Sequence, residues 1–283
     1  MPVVYLGQDG IFTEYVDSYQ FNKMYLGTSP LFLDGYNAES ILTDELYLRY
    51  DTSNLLSSYV SGSSVAGYTY MTNIAPSSSL SDVQFAVQEQ VQWTGSNQGA
   101  FYLQGDINTS PVLWYNPDAT EVNTWMGMKS GTEGNSVTHN IWIKPVIPGG
   151  STVRQYIWRV GSQYGLIINP EATEAILWYN NSGDNYVSLG AITPNAWNNI
   201  IITANRPAVN FANTDFNAYV NGTLIGSASV SLSGTGAGEF VIGKSTIDDY
   251  YFKGYFTEYT FYHKVLSAGE IRYNYQTEVA RYQ

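Results

Sequence analysis

The chain has 283 residues, 44% hydrophobic, 15% aromatic and only 13% charged, with a formal net charge of −12 and no cysteine. The acidic balance, with twelve Lys and Arg scattered along the chain, excludes a nucleic-acid surface and one drawn to anionic lipid. Without cysteine there are no disulfides and no zinc thiolates.

Charge is about half of the roughly 25% usual in soluble proteins. Polarity therefore comes from Ser, Thr, Asn, Gln and Gly, as on secreted or particle-surface proteins. The length allows one large all-β domain or two ordinary ones. The opening MPVVYLGQDGIF lacks the basic start and apolar core of a signal peptide, and no apolar run approaches a membrane span. Synthesis in the cytoplasm is the expectation.

In the first forty residues Tyr5-Leu6-Gly7 recurs as Tyr25-Leu26-Gly27, which suggests repeated strand-turn units in an N-terminal segment, 1–40, ahead of a domain over 41–283. From there the pattern is one of short strands: 45–50, 83–87, 100–103, 140–144, 156–160, 164–168, 175–179, 200–204, 217–220, 223–228, 239–242 and 255–262. Gly, Asn and Ser turns separate them, and such a series reads as a β-sandwich or barrel. The Ser-rich stretch 57–64 reads as a loop, and 145–151 as a connection between strands. GTGAG (234–238) lacks the helix a dinucleotide fingerprint requires and also reads as a loop. Asn221-Gly222 is the strongest hairpin turn, because both residues tolerate positive φ.

The end of the chain, YFTEYTFYHKVLSAGEIRYNY (255–275), changes period partway. Alternation places Tyr255, Thr257, Tyr259 and Phe261 on one strand face and Phe256, Glu258, Thr260 and Tyr262 on the other. Ser267 and Glu270 then form a Ser-x-x-Glu capping box, so a helix of one or two turns is expected from about Ala268.

Four blocks in this order carry a resemblance. HNIWIKPV (139–146), WNNIIITAN (197–205), FNAYVNGTLIGS (216–227) and FVIGKSTIDDYYFKGYFTEYTFYHKVLSAGEI (240–271) are similar to successive strands of laminin-G-like, concanavalin A-like jelly rolls. ELYLRYDTSNLLSSY (45–59) resembles the opening strand of phage-encoded members, and the repeated Tyr-Leu-Gly is similar to segments that open phage virion proteins. The resemblance implies an all-β antiparallel jelly-roll sandwich with an N-terminal extension. It further implies a structural protein on the virion surface, as a capsid decoration or at a tail or fibre tip. Residues 1–40, with Tyr5, Leu6, Tyr25 and Leu26, would then serve assembly with capsid or tail proteins, and a homo-oligomer is expected. A free or cell-surface lectin is the alternative, and a glycan hydrolase a weaker one.

Catalysis finds little support. Glycan hydrolysis needs two facing carboxylates; Asp248 and Asp249 are adjacent and point to opposite faces, and Glu171 and Glu174 fall in a polar turn. His139 and His263 are too few for a catalytic triad or a His-rich metal site. Binding has better candidates, because sugar C–H faces stack on rings while hydroxyls need paired hydrogen bonds. Tyr179, Asn180, Asn181, Asp184 and Tyr186 cluster in one turn-rich stretch, and Tyr250 and Tyr251 form a second group beside Asp248 and Asp249. A Ca²⁺ site from Asp215, Asp248 or Asp249 is the metal candidate; no other cofactor is expected. His263 stands where the family has Asn or Asp, a departure at the rim that usually holds Ca²⁺.

Overall fold

The computed structural model describes residues 15–16, 19–20, 24–26, 29–31, 41–42, 44–51, 69–72, 75, 84–87, 91–94, 99–104, 113–115, 135–147, 153–171, 173–206, 213–232, 240–244 and 250–282. The chain divides into two units, Met1–Ser40 and Ile41–Gln283. In the first, β1 (Tyr15–Val16) pairs with β2 (Tyr19–Gln20), and β3 (Met24–Leu26) with β4 (Ser29–Leu31), both antiparallel.

The second unit holds β5 (Leu46–Asp51), β6 (Thr69–Thr72), β7 (Gln84–Val87), β8 (Gln92–Thr94), β9 (Ala100–Gln104), β10 (Leu113–Tyr115), β11 (Asn135–Pro145) and β12 (Gln155–Val160). Then follow β13 (Tyr164–Asn169), β14 (Glu174–Asn180), β15 (Asp184–Ala191), β16 (Asn198–Arg206), β17 (Thr214–Val220), β18 (Thr223–Val230), β19 (Phe240–Ile242), β20 (Lys253–Tyr262) and an α-helix, α1 (Ala268–Glu278), continued by a 3₁₀ turn (Val279–Arg281). Two antiparallel sheets form a sandwich of jelly-roll type. The first runs β15-β14-β13-β12-β19-β10-β7-β6, and the second β18-β17-β16-β11-β20-β9-β8, with β5 also paired to β20. All twelve expected strands are present. β6, β8, β10 and β15 were not expected, and β15 (DNYVSLGA) replaces much of what read as a turn.

Between the sheets lies one core. Ile141, Ile143, Ile200, Ile202, Phe216, Tyr259 and Phe261 of the second sheet meet Trp158, Tyr164, Leu166, Ile168, Leu177 and Phe240 of the first. His139 points into this core, stacked on Trp158 with centroids 4.5 Å apart. Its ring nitrogens lie 2.8 Å from the hydroxyls of Tyr259 and Tyr164, and burial pushes its pKa down to about 3. It is therefore neutral, with one nitrogen donating and the other accepting.

Strict alternation along β20 fails at one place. The ladder with β11 slips between Trp142 and Ile143, a bulge that turns Phe256 into the core beside Tyr259 and Phe261. Thr257 instead hydrogen-bonds the Tyr282 hydroxyl. A bulge adds a residue to one strand and so shifts the pleat's phase. The expected grouping of Phe256 with Glu258, Thr260 and Tyr262 is thereby corrected.

The Asn221-Gly222 turn joins β17 to β18 with φ of 52° and 74°. The Ser267–Glu270 capping box also forms: the Ser267 side chain accepts from the Glu270 amide, and Glu270 accepts from the Ser267 amide. The helix, however, runs for 11 residues, not one or two turns. Packing extends it. Ile271 joins Ile41, Leu46, Ile201, Tyr262 and Leu266 on the outer face of the second sheet, Asn274 donates to the Tyr262 hydroxyl, and Trp142 stacks with Tyr275 and Tyr282.

Candidate functional site

The β14–β15 hairpin sorts the tyrosines by pleat. Trp178 stands opposite Tyr186 in the ladder, and Tyr179 opposite Asn185. Successive side chains point to opposite faces. Trp178 and Tyr186 therefore join Tyr156, Ile167, Ile176 and Tyr250 on the outer face of the first sheet, whereas Tyr179 packs against the inter-sheet core. The tyrosine group expected in one stretch is split by this alternation.

On the outer face the aromatic groups are fixed by specific partners. The Trp178 indole N–H donates to Asp184 Oδ1 at 2.9 Å. The Arg159 guanidinium lies 4.3 Å over the Trp178 ring, and Arg154 4.1 Å over Tyr186. Tyr250 stacks on Tyr156 at 6.2 Å and 17°. Trp178 and Tyr156 form a fully buried floor, and half-buried Tyr186 and Tyr250 form its rim. At the tip Ser182 has φ of 56° and Gly183 138°. Asn185 donates to the Asn181 and Gly183 carbonyls, and the Gly183 amide to Asn180 Oδ1. A tip held this way presents exposed Asn181 and Asp184 beside the rim rings, pairing hydrogen-bonding groups with apolar faces.

The structure thus unites Tyr186, Asp184 and Trp178, with Tyr250 in the same aromatic cluster and Asn181 at the tip. Tyr251 is half-buried and bridges by its backbone to Lys244. Asp215 is exposed on β17 of the other sheet. Asp248, Asp249, Tyr5 and Leu6 lie outside the described residues. Tyr25 and Leu26 are in β3, opposite Pro30 and Ser29. Among the described residues no group of three or more His, Cys, Asp and Glu is placed to hold a metal ion. Glu174 opens β14 rather than sitting in a turn, and its carboxylate accepts from Asn169 and Ser188. Sequence reasoning missed Trp178, Tyr156, Arg154 and Arg159. AILWY (175–179) read simply as a strand, and nothing local shows which of its residues face outward.

A carboxylate pair does occur, under α1. Arg49 Nε lies 3.0 Å from Glu258 Oε1, and Arg281 Nη1 lies 2.7 Å from Asp51 and 3.8 Å from Glu258. The Trp142 indole donates to Glu278. Burial raises both glutamates, and the charge of Glu258 raises Glu278 further, well above the ordinary carboxyl value. Burial and the neighbouring Glu258 charge thus favour the protonated form of Glu278. All five ionisable side chains are buried. Two arginines face three carboxyl groups, so the enclosed cluster is neutral only with one proton bound among them. A pair so enclosed cannot flank a sugar bond.

A family model of the concanavalin A-like lectin/glucanases superfamily, of the laminin-G type, matches residues 118–272, more than half of the chain. No curated protein matches it in sequence. Among solved structures, the receptor-binding domain of botulinum neurotoxin type G superposes with a TM-score of 0.54 at 13% identity, over 82% of this chain and 51% of that one. The binding domain of botulinum neurotoxin DC in complex with SialylT gives 0.58 at 13% identity, over 83% and 52%. A Trypanosoma rangeli sialidase gives 0.55 at 12%, over 84% and 33%. At such identities the likeness shows the fold, and this chain spans about half the length of the toxin domains.

Proposed function

Because the chain belongs to the concanavalin A-like lectin/glucanases superfamily, we propose that it is a non-enzymatic carbohydrate-binding sandwich, displayed on the surface of a phage particle as a capsid decoration or a tail or fibre tip. The observation that carries the binding role is the outer face of the first sheet. There, rim rings from two separate segments, Tyr186 and Tyr250, sit over a buried aromatic floor beside exposed Asn181 and Asp184. Sugar faces stack on such rings while amides and carboxylates pair with hydroxyls. The toxin binding domain solved in complex with SialylT supports this reading by sharing the fold. A non-enzymatic role agrees with the enclosure of Glu258 and Glu278. The virion role rests on the repeated Tyr-Leu-Gly of residues 1–40 and on the charge-poor composition.

An array of printed oligosaccharides probed with the full chain tests the binding role. Saturable binding to a defined set of glycans is expected, with no reducing ends released on incubation; glycan turnover would replace the proposal with an enzyme. Quantitative mass spectrometry of purified particles tests the virion role. Copies near the number of major capsid subunits mark a decoration protein and a few copies a tail component, whereas absence from particles returns the chain to a free lectin.

A further inference from the structure

A second set of half-buried rings lies on the outer face of the other sheet. Tyr255 of β20 stands opposite Tyr102 of β9 and Lys144 of β11. The Tyr102 and Tyr255 rings are 4.9 Å apart and tilted by 42°. Trp197, just before β16, lies 6.4 Å from Tyr255. Lys144 Nζ sits 5.9 Å from the Tyr255 centroid.

Behind this patch the rings continue inward. Trp197 meets Tyr282 at 5.0 Å, Tyr282 stacks on Trp142 at 3.9 Å, and the Trp142 indole is held by Glu278. The inner end is buried under the C-terminal helix, while Tyr102, Tyr255, Trp197 and Lys144 remain half-buried. The outer rings thus rest on a fixed support and lose little freedom when something binds them.

The polar tips point to the occupant. Among the described residues, no hydrogen bond or ion pair is made by the Tyr102 and Tyr255 hydroxyls, the Trp197 indole N–H or the Lys144 ammonium group. The rings are edged by hydrogen-bonding groups and by the Lys144 ammonium, with Lys253 two residues before Tyr255 on β20, in a chain whose net charge is −12. Flat rings bordered by free donors match a pyranose, whose C–H face stacks while its hydroxyls hydrogen-bond. The unpaired Lys144 matches a carboxylate.

We propose that Tyr102, Tyr255 and Trp197, with Lys144 at their edge, form a second glycan site, on the opposite sheet from the first, for an acidic sugar such as a uronic or sialic acid residue. The inference rests on the protein being a carbohydrate binder, and it makes each copy bivalent.

The test uses the full chain on an array of neutral, uronate-bearing and sialylated oligosaccharides, comparing wild type, Tyr255→Ala, Lys144→Gln and Tyr186→Ala. The expected result is that Tyr255→Ala and Lys144→Gln each weaken the acidic-glycan signals by at least about tenfold, while Tyr186→Ala retains them. Lys144→Gln removes the ammonium charge while keeping a polar side chain of similar length and leaves the rings in place, so it keeps the test valid should Tyr255→Ala unfold. Acidic-glycan signals that survive both substitutions would overturn the site, as would sedimentation showing that Tyr255→Ala abolishes only self-association. If Tyr186→Ala alone removes all binding, the second site falls and the carbohydrate-binding role stands; if wild type binds nothing on the array, both fall together.

Discussion

Burial favours the neutral forms of both Glu278 and His139, and the two tilt the pH dependence of stability in opposite directions. His139 is lowered from 6.5 to about 3. Its contribution is therefore full above pH 6.5 and drains away as the pH falls toward 3, a total of about 4–5 kcal/mol. Glu278 is raised well above 4.5. Its contribution is full below pH 4.5 and is lost as the pH rises through the folded value. Glu278→Gln keeps an acceptor for Trp142 but has no proton to lose. Urea denaturation at intervals from pH 4 to 9 should show wild type weakening on the alkaline side more than the variant, in which only the raised Glu258 remains to be lost; matching alkaline losses would mean that Glu278 is ionised in the fold. These roles were beyond local pattern. Glu278 and Arg281 lie in a tail whose helix was expected to stop after one or two turns, and only contact with Arg49, Asp51 and Glu258, more than two hundred residues away or on another strand, gives them work. Ser267 and Glu270 were legible, because a capping box satisfies its own backbone within three residues.

At the scale of elements, the two edge strands β15 and β18 approach each other where glycines permit it. A methyl group at Gly226 would lie 1.9 Å from the Leu189 carbonyl oxygen, and one at Gly190 2.9 Å from that of Ile225. Gly226→Ala is therefore expected to force these edges apart and to lower stability by about 3 kcal/mol, read as a drop in denaturation midpoint; an unchanged midpoint would show that the edges are free to separate. This contact explains why β15 escaped notice. Its polar, glycine-containing sequence has weak strand propensity, and it is held by pairing with β14 and by the close edge. The apolar strands β11 to β14 and β16 were legible because most of their side chains are buried and apolar, and the Asn221-Gly222 hairpin because its two positive φ angles are a local property. The bulge in β20 was not, since it depends on how β11 is paired against it.

For the whole molecule, a sandwich places binding groups on outer faces that sequence alone cannot tell from inner ones. Tyr186 was legible as a candidate, yet its neighbours Trp178, Tyr156 and Arg154 come from strands that meet only through the sheet, and Tyr179 was assigned to the same site although it turns to the core. One covered face, beneath α1, encloses the buried charges; the outer face at the β14–β15 hairpin carries the proposed sugar contacts. The most direct measurement of this account is calorimetric titration of wild type and Tyr186→Ala with the strongest glycan from the array that Tyr255→Ala still binds. A single stacking ring lost from the rim should weaken that glycan by about tenfold with the thermal midpoint unchanged. Equal affinity in the two proteins would contradict the placement of the sugar on the outer face of the first sheet.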